Sequence, residues 1–316
     1  MVVVSAGYDL PVRDADGILG GRIALLLLTI AVFFAIDVVP RAGRRCEWER
    51  GRLRGAIAAV TRERWTGRRV GIVLLAIVAF YMTYFAYRNL KSFIPLITPQ
   101  DLDGSLLRLE RDSLGGTDPA EIVQSVLGTG VSAHVLSSAY LLFLAFVPIS
   151  LGASLIASIN PLPGLWWTLA LGVNWTLGIA SYYLVPSMGP AFVAPELFAG
   201  LPETGVSRLQ DALLVERAEV LANPTATNAV QSIAGFASLH ASIVFSAVVI
   251  AHLLHLARWL RIVLWTYLVL TLLATVYFGW HYVLDDVAGF AIGGLAVWIS
   301  ALLTGNRAAL RRRRTT

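Results

Sequence analysis

Three residues carry the clearest chemical signal: His240 in Phe236-Ala-Ser-Leu-His-Ala-Ser242, and His281 with Asp285 in Phe278-Gly-Trp-His-Tyr-Val-Leu-Asp-Asp286. His281 and Asp285 are four apart, a spacing that puts them on one face of a helix. A carboxylate there accepts a hydrogen bond from one imidazole nitrogen, fixes the tautomer and leaves the other nitrogen free to react. That is the arrangement of a nucleophile with its orienting partner. Asp286, rotated about 100° from Asp285, is expected to face a neighbouring helix or water. The other histidines say less. His252 and His255, beside Arg258, read as an interfacial basic end, and His134 as an interfacial or packing residue. His240, His281 and Asp285 would also make a three-ligand zinc site. Cys46 is the only cysteine, so neither an internal disulfide nor a cysteine metal cluster can form.

The elements that must position these residues are apolar. Hydrophobic residues make up 57% of the 316-residue chain and charged ones 14%, against roughly 25% charge in soluble domains. The excess falls into runs near 19–39, 70–87, 132–157, 164–186, 236–257, 260–280 and 282–304, each read as a membrane span. The expected fold is therefore all-α, a polytopic transmembrane helix bundle of about six to seven spans. The segment 100–127 adds short amphipathic interfacial helices, with Leu102, Leu106 and Leu109, then Ile122 and Val126, at helical spacing. Residues 191–231 read as a long external loop.

Charge placement orients the bundle. The net charge is +5, but the arginines flank apolar spans, which argues against nucleic acid as a partner. Ten arginines lie between Arg41 and Arg69, Arg258 and Arg261 lie between two spans, and Arg307 with Arg311–Arg314 ends the chain. With seven spans, the positive-inside rule puts all three clusters on the cytoplasmic side. The expectation is a multi-pass plasma-membrane protein, N-terminus outside and C-terminus cytoplasmic, with His240 and His281 together at the outer face. Three regions follow: 1–69, an N-terminal span and basic loop; 70–304, the membrane domain; and 305–316, a basic tail. Asp9, Asp14 and Asp16 before the first run argue against a cleaved signal.

Ala237-Ser238-Leu239-His240 and His281-Tyr-Val-Leu-Asp285 resemble the Pro-Ser-Gly-His and Ser-Arg-x5-His-x3-Asp motifs of the type-2 phosphatidic acid phosphatase superfamily. The resemblance implies that His281 attacks phosphorus to form a phosphohistidine, that Asp285 orients it and that His240 protonates the leaving oxygen. It implies metal-free chemistry and no cofactor. Ala274 and Thr275 stand at the Ser-Arg positions, and Tyr182-x6-Gly189-Pro190 stands where the family carries Lys-x6-Arg-Pro. Tyr182-Tyr-Leu-Val-Pro-Ser-Met-Gly-Pro190, Ser238-Leu-His-Ala-Ser242 and the stretch 101–119 are similar to the branch containing inositol phosphorylceramide synthases, which lacks the basic first motif.

A transferring phosphoryl group still needs donors or cations for its equatorial oxygens. Candidates are Arg88, Lys91, Tyr182, Tyr183 and Ser238, with Arg208 and Arg217 in the outer loop and the amides before His240 as further donors. Lys91-x6-Thr98-Pro99 imitates the missing motif. The expected function is a phosphotransferase or phosphatase acting on a lipid phosphate or phosphodiester, with transfer of a phospho-head group favoured. Its partners would be a phospholipid, membrane lipids, and either water or a lipid or sugar hydroxyl. A non-catalytic lipid transporter is an alternative of a different class. Gly289 and Gly293 have the spacing that lets helices approach closely, within the bundle or between two copies.

Overall fold

The computed structural model describes residues 1–14, 21–98, 101–157, 162–307 and 309, and side chains are described from Leu28 onward within the second helix. The Arg311–Arg314 run, Pro99 and the start of the 19–39 run lie outside these residues. Among the described residues every regular element is a helix. In order come α1 (Val2–Gly7), α2 (Gly21–Arg45), α3 (Arg50–Arg64), α4 (Gly67–Ile97), α5 (Asp103–Ser113), α6 (Pro119–Leu127), α7 (Val131–Gly152, continued by a π turn over Ala153–Ala157), α8 (Leu162–Leu184), α9 (Pro190–Val193), α10 (Gly205–Ala222), α11 (Leu239–Leu253), α12 (Arg258–Tyr277) and α13 (Val283–Leu303).

The expected count of six to seven spans is corrected. Among the described residues, four helices are long and apolar enough to cross a membrane: α4, α7 with its π turn, α12 and α13. The 19–39 run begins outside the described residues, and the runs near 164–186 and 236–257 do not meet that condition. In the last of these only α11 is helical, and its 15 residues reach about 22 Å, short of the roughly 30 Å hydrocarbon core. Chain entry is taken up by the extended segment through Ser238, and the exit by a turn at Leu254. The run at 164–186 forms the long helix α8, but asparagine, threonine, glycine and tryptophan dilute its apolarity. It is the enclosed centre of the bundle, burying Trp166, Trp167, Leu171, Asn174, Trp175 and Tyr182 against α4, α11 and α13. In α2, Asp37 is buried and held by Arg64 (2.8 Å) and Arg41 (2.6 Å), with the Trp65 indole donating to its other oxygen (3.1 Å). This pins α2 to α3 as a hairpin.

The orientation derived from seven crossings therefore loses its count, but each helix keeps a polarity. α4 runs from Arg68 and Arg69 toward Arg88 and Lys91. α12 begins at Arg258 and ends just before His281, and α13 runs from Asp285 toward Arg307. Arg69 donates to the Ile156 carbonyl (2.6 Å), so the far end of α7 lies at the arginine-rich end. The histidine pair lies at the opposite end.

Two local expectations also change. On α5 the buried face is Asp103, Leu106 and Glu110, whereas Leu102 and Leu109 point outward. The stretch read as a loop over 191–231 contains the 18-residue α10, started by Thr204, whose hydroxyl accepts from the Ser207 amide. Gly289 and Gly293 serve the bundle itself. A Cβ at Gly289 would sit 2.5 Å from the Ser238 carbonyl oxygen, and one at Gly293 would sit 2.6 Å from that of Ser242. The missing side chains let α13 lie directly on α11.

Candidate active site

The start of α11 and the start of α13 meet, and the site is built on that junction. Ser238 caps α11, its hydroxyl accepting from the Ala241 amide (3.3 Å), while its own amide donates to the Asp285 carbonyl (2.9 Å). This crosslink fixes His240, in the first turn of α11, opposite His281. The His281 Nδ1 lies 3.3 Å from Asp285 Oδ2, and its Nε2 lies 3.4 Å from His240 Nδ1. The reason for the first contact differs from the helix-face argument. His281 precedes α13 rather than lying on it. Asp285 reaches back over the helix start, where its Oδ2 also accepts from the Tyr282 amide (3.0 Å). Helix N-terminal amides favour a carboxylate there, so the capping residue doubles as the partner of the imidazole.

Both rings are held on several sides. His240 stacks on Tyr140 of α7 (centroids 4.6 Å apart) and lies 4.3 Å from the Phe143 ring. Tyr140 in turn stacks almost parallel on Trp280 at 5.1 Å. His281 is 5% exposed and Asp285 is fully buried. Asp286 faces the neighbouring α12, where the Thr275 hydroxyl donates to its Oδ2 (2.9 Å).

The remaining candidates separate. Lys91 lies 5.0 Å from the Tyr182 ring and 5.8 Å from the Tyr87 ring, and its charge acts on His240. Arg88, one turn earlier on α4, acts electrostatically on Lys91. The Tyr183 hydroxyl is committed to the Leu90 carbonyl (2.8 Å), so it ties α8 to α4 and faces no phosphate in this arrangement. Ser238 lies at the site, with its hydroxyl engaged by the cap. Arg208 pairs with Glu203 (2.9 Å) on the surface. His252 accepts from the Trp265 indole (2.9 Å), away from the pair.

Two carboxylates escaped the sequence reading. Asp103 is fully buried. It accepts from the Met188 and Gly189 amides (2.7 and 2.9 Å) and from the Tyr282 hydroxyl (3.0 Å). Glu110 accepts from the Leu284 amide (3.1 Å) at the start of α13. α5 thus straps the Gly189 turn and the α13 start from outside. Burial holds the Asp103 carboxyl above its usual range, against the pull of the two amides. Burial likewise pushes Glu110 up to about 7. The available signal was their seven-residue spacing, two helical turns on one face. Gly189 itself has φ 110°, and a Cβ there would meet the Trp280 carbonyl oxygen at 2.4 Å, so only glycine lets this turn approach.

These helices and this junction define a multi-pass membrane protein with a buried pair of histidines beside two aspartates. Residues 104–299 match the model of the PAP2 superfamily, and the chain belongs to that superfamily. Neither the curated proteins nor the solved structures contain a significant match. Membership supports metal-independent lipid phosphatase or phosphotransferase chemistry in general. Among the described residues, no group of three or more histidine, cysteine, aspartate or glutamate side chains is placed to hold a metal ion. The zinc reading of His240, His281 and Asp285 therefore lacks a donor set.

Proposed function

We propose that this protein is a membrane phosphotransferase acting on a lipid phosphate or phosphodiester through a phosphohistidine on His281. One observation carries the reading: His281 stands in line between a carboxylate at 3.3 Å and a second imidazole at 3.4 Å. With Nδ1–H donating to Asp285, the Nε2 lone pair points toward His240, where a phosphorus atom would enter. In the first half-reaction Nε2 bonds to phosphorus, the bond to the leaving oxygen breaks, and His240 gives that oxygen its proton. In the second half-reaction an acceptor oxygen displaces His281, and His240 takes the acceptor's proton back. Lys91 and Arg88 supply positive charge from the α4 side, standing in for the basic motif replaced at Tyr182 and Gly189. Arg68 and Arg69 of α4, Arg258 of α12 and Arg307 after α13 lie at the end away from the histidines, and the positive-inside rule then favours a site on the non-cytoplasmic face.

The test uses purified protein in detergent with short-chain phosphatidic acid or phosphatidylinositol, labelled at phosphorus. Rapid acid-free quenching is expected to trap an acid-labile, base-stable label on the wild type and none on His281→Ala. A full turnover by His281→Ala would reject the mechanism. The products separate the two chemistries, since water yields a free phosphate species and a hydroxyl acceptor yields a new phosphodiester or phosphomonoester.

A further inference from the structure

Asp286 is not used by the mechanism above, yet it is 5% exposed beside the reacting histidine. Thr275 holds one of its oxygens at 2.9 Å. The Thr275 carbonyl also accepts from the His281 amide (3.3 Å), so the two residues are tied through one position of α12. The other oxygen, Oδ1, is buried and has no hydrogen-bond partner. Among the described residues no lysine or arginine forms an ion pair with Asp286.

A buried carboxylate oxygen without a donor is costly, commonly by more than the net value of the bond it lacks. Such a group marks a position where a ligand supplies the donor. A phosphate brings only acceptors and negative charge, and Asp286 and Asp285 would both repel it. Thr275, moreover, occupies the place where the superfamily motif carries an arginine. The guanidinium expected there would grip phosphate, whereas the hydroxyl–carboxylate pair found there accepts an O–H.

We propose that Asp286 Oδ1 binds a hydroxyl of a polyhydroxylated acceptor, a sugar or polyol, while a neighbouring hydroxyl of the same molecule attacks the phosphohistidine. This rests on the phosphohistidine reading above. The attacking oxygen forms the new P–O bond, the His281 Nε2–P bond breaks, and the attacking hydroxyl's proton goes to His240. The hydroxyl on Asp286 keeps its proton and sets the acceptor's position. Asp286 is thus a specificity-determining residue, and water or a simple alcohol gains nothing from it.

The experiment is a competition. Wild-type protein in detergent, with dioctanoyl phosphatidic acid and separately dioctanoyl phosphatidylinositol as donors, is given equal molar excesses of glycerol and 1-propanol, and products are read by phosphorus NMR. Transfer to glycerol is expected to exceed transfer to propanol by roughly tenfold, the range of one hydrogen bond to a charged group. Asp286→Asn is expected to bring that ratio close to the statistical value. Thr275→Val, which frees the carboxylate to turn, is expected to lower it by a smaller factor and gives the same readout should Asp286→Asn fold poorly. A ratio near statistical in the wild type, or one unchanged in both variants, would overturn the proposal while leaving the phosphohistidine intact. Absence of any trapped phosphohistidine in the wild type would instead remove the parent reading, and this inference with it.

Discussion

Two buried polar clusters lie one helical turn apart along α11, and they end their hydrogen-bond accounts differently. In the inner cluster Ser242 donates to Asn174 Oδ1, and Asn174 Nδ2 donates to the Ala170 carbonyl (2.8 Å) and to Ser246 Oγ (3.0 Å). Ser246 reaches the Gly293 carbonyl on α13 (3.1 Å). None of these side-chain atoms is left without a partner. In the outer cluster, around His240 and His281, the Oδ1 atoms of Asp285 and Asp286 and the Trp280 indole nitrogen are all buried and unpaired. Both clusters join α11 to α13. The saturated one binds α8, α11 and α13 together, whereas the unsaturated one keeps hydrogen-bonding capacity in reserve, as sites that must accept a substrate do.

If that contrast is right, substitutions in the two clusters should fail in opposite ways. The largest effect belongs to the outer cluster. His281→Ala should lower lipid turnover by at least roughly 10⁴-fold, the scale seen when a nucleophile is removed from a unit that acts together. Its unfolding transition in detergent should stay within about 1 kcal/mol of wild type, since the imidazole makes one contact to each neighbour. A variant that loses stability along with activity would mean that the pair is a structural strut.

Next comes Asn174→Leu in the inner cluster. It leaves the Ser242 and Ser246 hydroxyls without their side-chain partner in a dry interior, and each such loss costs about 1–3 kcal/mol. A destabilisation of about 4 kcal/mol is expected by denaturant titration in detergent. Turnover per folded molecule should change little, because no atom of Asn174 touches the histidines. A loss of specific activity without loss of stability would erase the distinction between the clusters.

The difference between the clusters was unequally legible in the sequence. His240, His281 and Asp285 stood out because their residue types are rare in apolar runs and because a known motif spacing joined them. Membrane character followed from composition alone. The number of crossings did not, since apolar run length cannot tell a helix facing lipid from one such as α8, which faces other helices. The α5 strap was hidden for a related reason. Leu102, Leu106 and Leu109 suggest an apolar face, yet Leu109 is 53% exposed while Asp103 and Glu110 are buried. A leucine at an interface is stable facing lipid, so the inward face was free to carry carboxylates whose partners, the Met188, Gly189 and Leu284 amides, are remote in sequence. The inner cluster was silent too, because serine and asparagine within a span carry no mark of their partners.

Glu110 gives the finest test, because it sits outside the site and touches it only through the start of α13. Burial raises its carboxyl from an ordinary 4.5 to about 7, while the Asp285 and Asp286 charges act in the same direction. Between those two values the folded chain keeps a proton that the unfolded chain has released. The contribution of Glu110 is therefore fully present below about 4.5 and is lost as pH rises through about 7. At 1.36 kcal/mol per unit, this amounts to at most about 3 kcal/mol between acid and neutral pH. Glu110→Gln keeps an acceptor for the Leu284 amide but cannot ionise. Its stability should vary less with pH than that of the wild type and should exceed it at pH 8, measured by unfolding in detergent across the window. Because the ionised Glu110 adds negative charge behind Asp285 rather than removing a site group, turnover should survive the substitution. A wild-type stability curve that rises between 4.5 and 7 and owes that rise to Glu110 would show that the strap holds as a carboxylate, and that the reserve of unmet hydrogen bonds is confined to the two aspartates and the indole.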